Sequence, residues 1–130
     1  MAYILIVDDD EDFSSAVATV LHDAGHETAI EDHPDGAMAS LKKRLADAIV
    51  LDVMFPENPT AGFDLARTIR RAYKELPILM LTAINQQFPL GFSSKNIDPK
   101  WLHVTNFLEK PVDFGVLCDK VDQMLASAHA

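Results

Sequence analysis

The sequence predicts an α/β fold, a doubly wound sheet of five parallel strands with helices on both faces. Three observations predict it. Short apolar runs of strand length alternate with stretches of helical period along the chain. The best of those runs are continuous rather than alternating, the signature of strands buried on both faces. No repeat, low-complexity tract or linker interrupts the 130 residues, so 1–130 is expected to be a single domain.

The elements follow in order. Tyr3-Ile4-Leu5-Ile6-Val7 is the first strand and stops at acids. Phe13, Val17, Val20, Leu21 and Ala24 then recur at helical spacing, with Gly25 as the stop. His26 to Glu31 is a weaker strand, polar enough for an edge. Pro34 suits a first helical turn, with Ala37, Leu41 and Leu45 as its expected buried stripe. Ala48-Ile49-Val50-Leu51 is the third strand, ending on Asp52, followed by a Pro- and Asn-containing loop and a helix carrying Leu65, Ile69 and Tyr73. Ile78-Leu79-Met80-Leu81 ends at Thr82, and Asn106-Phe107-Leu108 leads to Lys110-Pro111. Asp113 is placed to cap a last helix with Leu117, Val121, Met124 and Leu125 inward.

Right-handed crossovers bring the carboxyl ends of parallel strands to one edge, where ligands of such sheets bind. That edge collects Asp8, Asp9, Asp52, Thr82 and Lys110. Three carboxylates in one place repel one another, and a cation relieves the repulsion. Mg²⁺ suits an all-oxygen set and keeps several waters. Acids, a hydroxyl and a lysine around Mg²⁺ fit phosphoryl transfer, which needs in-line placement and neutralised equatorial oxygens. A carboxylate can itself be the nucleophile, and Asp52 is the best placed.

Taken singly, these residues have plainer uses. The acidic run Asp8 to Asp12 would ordinarily be a solvated face or a helix N-terminal charge bias, a reading kept for Asp10, Glu11 and Asp12. The five histidines show no ligand spacing and are read as surface or boundary residues. A formal charge of −9 without a basic stripe argues against direct nucleic-acid binding and for a protein partner or a cation. The N-terminus does not read as a signal peptide, no apolar run reaches membrane-helix length, and Cys118 is alone; the expected compartment is the cytoplasm.

Val7-Asp8-Asp9, Asp52-Val53-Met54-Phe55-Pro56, Thr82-Ala83 and Lys110-Pro111 fall in order after successive strands. In this the chain resembles the response-regulator receiver domain of two-component signalling, of the chemotaxis-type single-domain kind, over nearly its whole length. The resemblance implies a flavodoxin-like strand order 2-1-3-4-5. It makes Asp52 the phosphoacceptor and gives Mg²⁺ to Asp8, Asp9, Asp52 and the backbone carbonyl of Met54. Thr82 would donate a hydrogen bond to the phosphoryl group, Lys110 would pair with another of its oxygens, and the bond to Pro111 would be cis. Phe107 matches the aromatic switch position that follows Thr82. The implied function is phosphorelay signalling: a sensor histidine kinase or phosphotransfer protein donates phosphate, and a downstream protein partner reads the altered surface. The chain would then be no enzyme beyond its own phosphorylation and dephosphorylation.

Several features depart from that pattern. The loop after Asp52 is slightly long, and residues 84–101 hold Pro89 and Gly91, so an irregular segment is expected in place of a regular fourth helix. A monomer or an atypical dimer is therefore expected. Phe107 lacks a hydroxyl, which leaves a steric switch. The rim positions, two residues after the acceptor and two after the threonine, are Met54 and Ile84, neither able to orient a hydrolytic water. No output domain is expected after the last helix. An aspartyl-phosphate phosphohydrolase would usually carry an acid at position 54; a flavodoxin-like cofactor binder would need a Gly/Ser/Thr-rich loop where Asp8-Asp9-Asp10 stand. A docking module that is never phosphorylated is a third alternative, disfavoured by the intact acid, threonine and lysine set.

Overall fold

The computed structural model describes residues 2–52, 61–82, 106–109 and 113–128. Five strands, β1 (Tyr3–Val7), β2 (Glu27–Glu31), β3 (Ala48–Asp52), β4 (Ile78–Thr82) and β5 (Asn106–Glu109), form one sheet in the order β2-β1-β3-β4-β5. Every neighbouring pair is parallel. The helices are α1 (Glu11–Asp23), α2 (Pro34–Lys43), α3 (Ala61–Ala72) and α4 (Phe114–Ala128).

Side chains of a strand alternate between its two faces, so continuous apolar strands feed two cores at once. Leu5, Val7, Ile49, Leu51, Ile78 and Met80 join Ala37 and Leu41 of α2 and Leu65, Ala66 and Ile69 of α3 in one cluster. The intervening Ile4, Ile6, Ala48, Val50, Leu79 and Leu81 join Val17 and Leu21 of α1 and Leu117, Val121, Met124 and Leu125 of α4 in the other. Each fully buried Leu or Ile contributes roughly 1.5–3 kcal/mol relative to exposure. Two such layers fix the sheet's faces, and thereby which strand ends converge.

The helix boundaries follow from their caps. Asp10 opens α1 and Asp113 opens α4, each accepting backbone N–H bonds in the first turn. After α1 the chain turns through Gly25 at φ +98°, with Gly25 N donating to His22 O and His26 N to Leu21 O. That paired arrangement closes the helix and needs the left-handed conformation glycine tolerates.

One expectation needs correction. Leu45 is 56% exposed, not the third residue of a buried stripe. The chain leaves the helix at Arg44, which is extended, and whose guanidinium stacks on the Tyr3 ring at 4.0 Å and pairs with Glu27 at 2.6 Å. His26 is half-buried, the boundary residue expected, and it also makes a link that the sequence did not announce. Its Nδ1 accepts from Ala2 N, so Nε2 carries the proton toward Asp122 at 3.2 Å, tying the first residues and β2 to α4. The irregular segment expected at 84–101 lies outside the described residues.

Candidate functional site

β1 and β3 run side by side with Val7 opposite Leu51, so Asp8 and Asp52 stand level as the next residues of each strand. Both continue the even-numbered series that faces α1 and α4. Asp8 and Asp52 are each only 2% exposed, while Asp9 is open to solvent. One carboxylate oxygen from each of the three lies within 4.8 Å of the others. Among the described residues this is the only group of three acids, histidines or cysteines so arranged.

The turn after β1 holds this geometry. Asp8 N donates to Glu31 O at 3.1 Å, and Asp8 Oδ1 accepts from Asp10 N at 2.9 Å. Asp10 in turn accepts from Phe13 N at 3.1 Å through Oδ1, starting α1. Glu11 and Asp12 follow in the first turn, where the helix dipole favours acids. Phe13 packs on Phe114 of α4, ring centroids 6.0 Å apart, and the buried Ser14 hydroxyl donates to Glu11 O at 3.2 Å.

Two buried carboxylates at this range repel by roughly 3 kcal/mol at an effective dielectric of about 20. A hard dication offsets that repulsion. Three carboxylate oxygens on one side, with the remaining positions left to water, are the donor set Mg²⁺ takes. Mg²⁺ therefore fits the residues present. A phosphoryl group can enter the same edge, because the carboxyl end of a central strand opens outward rather than into the core.

The sequence profile of the response regulator receiver domain family matches residues 4–122. The chain belongs to that family. The receiver is 36% identical over 127 residues to the transcriptional regulatory protein AfsQ1 of Streptomyces coelicolor, covering 96% of this chain and 52% of that protein. It is 30% identical to the transcriptional regulatory protein CusR of Escherichia coli over 127 residues, again 52% of that protein and 98% of this chain. The chain thus spans about half the length of these curated relatives, and 17% of the nitrogen assimilation regulatory protein NtrX of Azorhizobium caulinodans. Among solved structures, the chemotaxis protein CheY4 of Vibrio cholerae superposes with a TM-score of 0.80 at 31% identity, covering 95% of this chain and 98% of that one. A receiver domain protein from Methanospirillum hungatei, at 20% identity and a TM-score of 0.84 over 99% of this chain and 97% of that one, shares the fold. Receivers are switches of two-component phosphorelay signalling, and the strand order inferred from the resemblance is the observed one.

Of the residues singled out from sequence, Asp8, Asp9 and Asp52 come together. Thr82 closes β4, the neighbour of β3, one residue past Leu81, which is in register with Asp52. Phe107 sits in β5 opposite Met80. The side chains of Thr82 and Phe107, and all of Met54, Ile84, Lys110 and Pro111, lie outside the described residues. Sequence reading keeps Asp10 as a solvated or helix N-terminal acid, and it is indeed exposed at the start of α1. An Asp immediately before the first helical residue was the available signal for its cap, but nothing in the sequence marked its amide as a partner of Asp8.

Proposed function

We propose that the receiver accepts a phosphoryl group on Asp52 in a Mg²⁺-dependent reaction. The donor is a sensor histidine kinase or a phosphotransfer protein, and a protein partner reads the changed surface. One observation carries this reading: a buried carboxylate at the end of the central strand, grouped with two more within 4.8 Å. A carboxylate held in a buried, fixed position at a strand end, next to acids that can share a cation, is a preorganised nucleophile.

Asp8, Asp9 and Asp52, with the Met54 carbonyl, would hold the ion. When bound, Mg²⁺ neutralises charge on the acids and on the incoming phosphoryl oxygens. An Asp52 oxygen attacks phosphorus in line. The P–N bond to the donor imidazole breaks, its electron pair returns to the ring nitrogen, and an acyl phosphate forms on Asp52. Thr82 and Lys110, at the ends of β4 and β5 by the family motif, take two phosphoryl oxygens, Lys110 directed there by a cis bond to Pro111. The shift of Thr82 toward the phosphate frees space for Phe107, a steric switch.

The test is labelling with a small phosphodonor in the presence of Mg²⁺, wild type against Asp52→Asn. The wild type should label and the variant should not. Because the change removes one charge from an acidic group, the variant's metal-free melting temperature should hold or rise. Equal labelling of the two proteins would remove Asp52 from the mechanism.

A further inference from the structure

We propose that Asp10 is a positioning residue for the metal site, acting through Asp8; this rests on the Mg²⁺ reading above. Asp10 is exposed and contributes no oxygen to the cluster of Asp8, Asp9 and Asp52. Its two polar ends do different work. Its backbone N–H donates to Asp8 Oδ1 at 2.9 Å, and its side-chain Oδ1 accepts from Phe13 N at 3.1 Å. At φ −83° and ψ 102°, Asp10 is extended while Glu11 is already helical, so the side-chain cap sets where the chain changes conformation.

The Asp10 amide engages Asp8 Oδ1, so the turn helps to hold the Asp8 carboxylate in the orientation that places one of its oxygens in the cluster. The same turn carries Asp9, the exposed member of the cluster. Both ligands on β1's end therefore depend on the cap one residue further on. Outer groups that orient a ligand commonly influence metal affinity about tenfold or more when removed. The capping carboxylate also carries a charge near the ion, so the effect of the hydrogen bond must be separated from that of the charge.

Asparagine and serine separate them, since both cap a helix as neutral acceptors. Mg²⁺ affinity is measured by calorimetric titration for wild type, Asp10→Ala, Asp10→Asn and Asp10→Ser, each checked for its metal-free melt. Asp10→Ala should weaken Mg²⁺ about tenfold, while the Asn and Ser variants stay near the wild type. Metal-free melts of Ala and Ser that differ less than their affinities would separate orientation from general stability. Asn and Ser as weak as Ala would assign the effect to charge and overturn the proposal, and so would an unaffected Ala variant. A wild type that binds no Mg²⁺ would overturn the functional reading together with the proposal, a result distinguishable from either of those.

Discussion

Asp8 and Asp9 are sequence neighbours with opposite exposures, and the difference divides their roles. Asp8 is locked by two backbone contacts, one to Glu31 O and one from Asp10 N. Asp9 stands on the outer side of the turn, where a hydrated cation can approach it. On the proposed function, the side chains at the rim positions Met54 and Ile84 would set the lifetime of the acyl phosphate. Acyl-phosphate hydrolysis needs a water lined up behind phosphorus, and neither Met54 nor Ile84 can orient one, so the phosphorylated state should be long-lived. Introducing polar groups as Met54→Asn with Ile84→Glu should speed loss of label on the order of 100-fold, the scale of one orienting group. Label decay after removal of the donor reads this directly; fast decay in the wild type would contradict it. Cys118 gives a prediction of another kind. Burial, and then the charges of Asp122 and Asp119, push its thiol up. The group therefore favours the fold while protonated, and that contribution is lost only as pH rises through the raised folded value. Alkylation of the folded protein should be slower than that of an unfolded control at mildly alkaline pH, and should climb as pH rises; equal rates would show an ordinary exposed thiol.

Among the elements, α1 shows how much local chemistry serves the site. It is capped by Asp10, buries Val17 and Leu21 against β1 and α4, and ends through Gly25. Gly25→Ala meets no atom within 4 Å, so its cost is conformational alone. It should lower stability by about 1 kcal/mol without altering phosphodonor labelling, and a denaturant titration followed by a labelling assay checks both. Most of this was legible beforehand. The apolar runs of β1, β3 and β4 are unbroken, and the helices carry Val17, Leu21, Leu65, Ile69, Leu117 and Val121 at the expected spacing. The strand ends then named Asp8, Asp9 and Asp52 as a group, which the structure brings within one cluster. Leu45 misled because spacing alone does not report where a helix stops. Arg44 leaves helical geometry to stack on Tyr3, a long-range contact invisible in a local pattern. The His26 link between Ala2 and Asp122 was missed for the same reason, since its partners lie 24 and 96 residues away.

At the scale of the whole molecule, the acidic balance and the sheet topology converge on one edge. A chain of net charge −9 concentrates three carboxylates at the ends of the neighbouring interior strands β1 and β3, held there by cores on both faces of the sheet. Among the described residues no helix is long and apolar enough to cross a membrane. With Mg²⁺ bound there as proposed, fold stability should depend on the cation. At a hundredfold excess over Kd, Mg²⁺ binding to the native state alone adds about 2.7 kcal/mol. Melts in Mg²⁺ should therefore exceed melts in EDTA, and Asp9→Ala should erase most of the difference; identical melts for the wild type would contradict a metal site. The central claim, that Asp52 takes the phosphoryl group, is tested most directly by locating the modification. The protein is incubated with Mg²⁺ and a small phosphodonor, digested under conditions that preserve acyl phosphates, and mapped by mass spectrometry, with an EDTA arm beside it. The phosphoryl group should lie on Asp52 in the Mg²⁺ arm and be absent with EDTA. Modification at any other residue, or at Asp52 regardless of metal, would contradict the account.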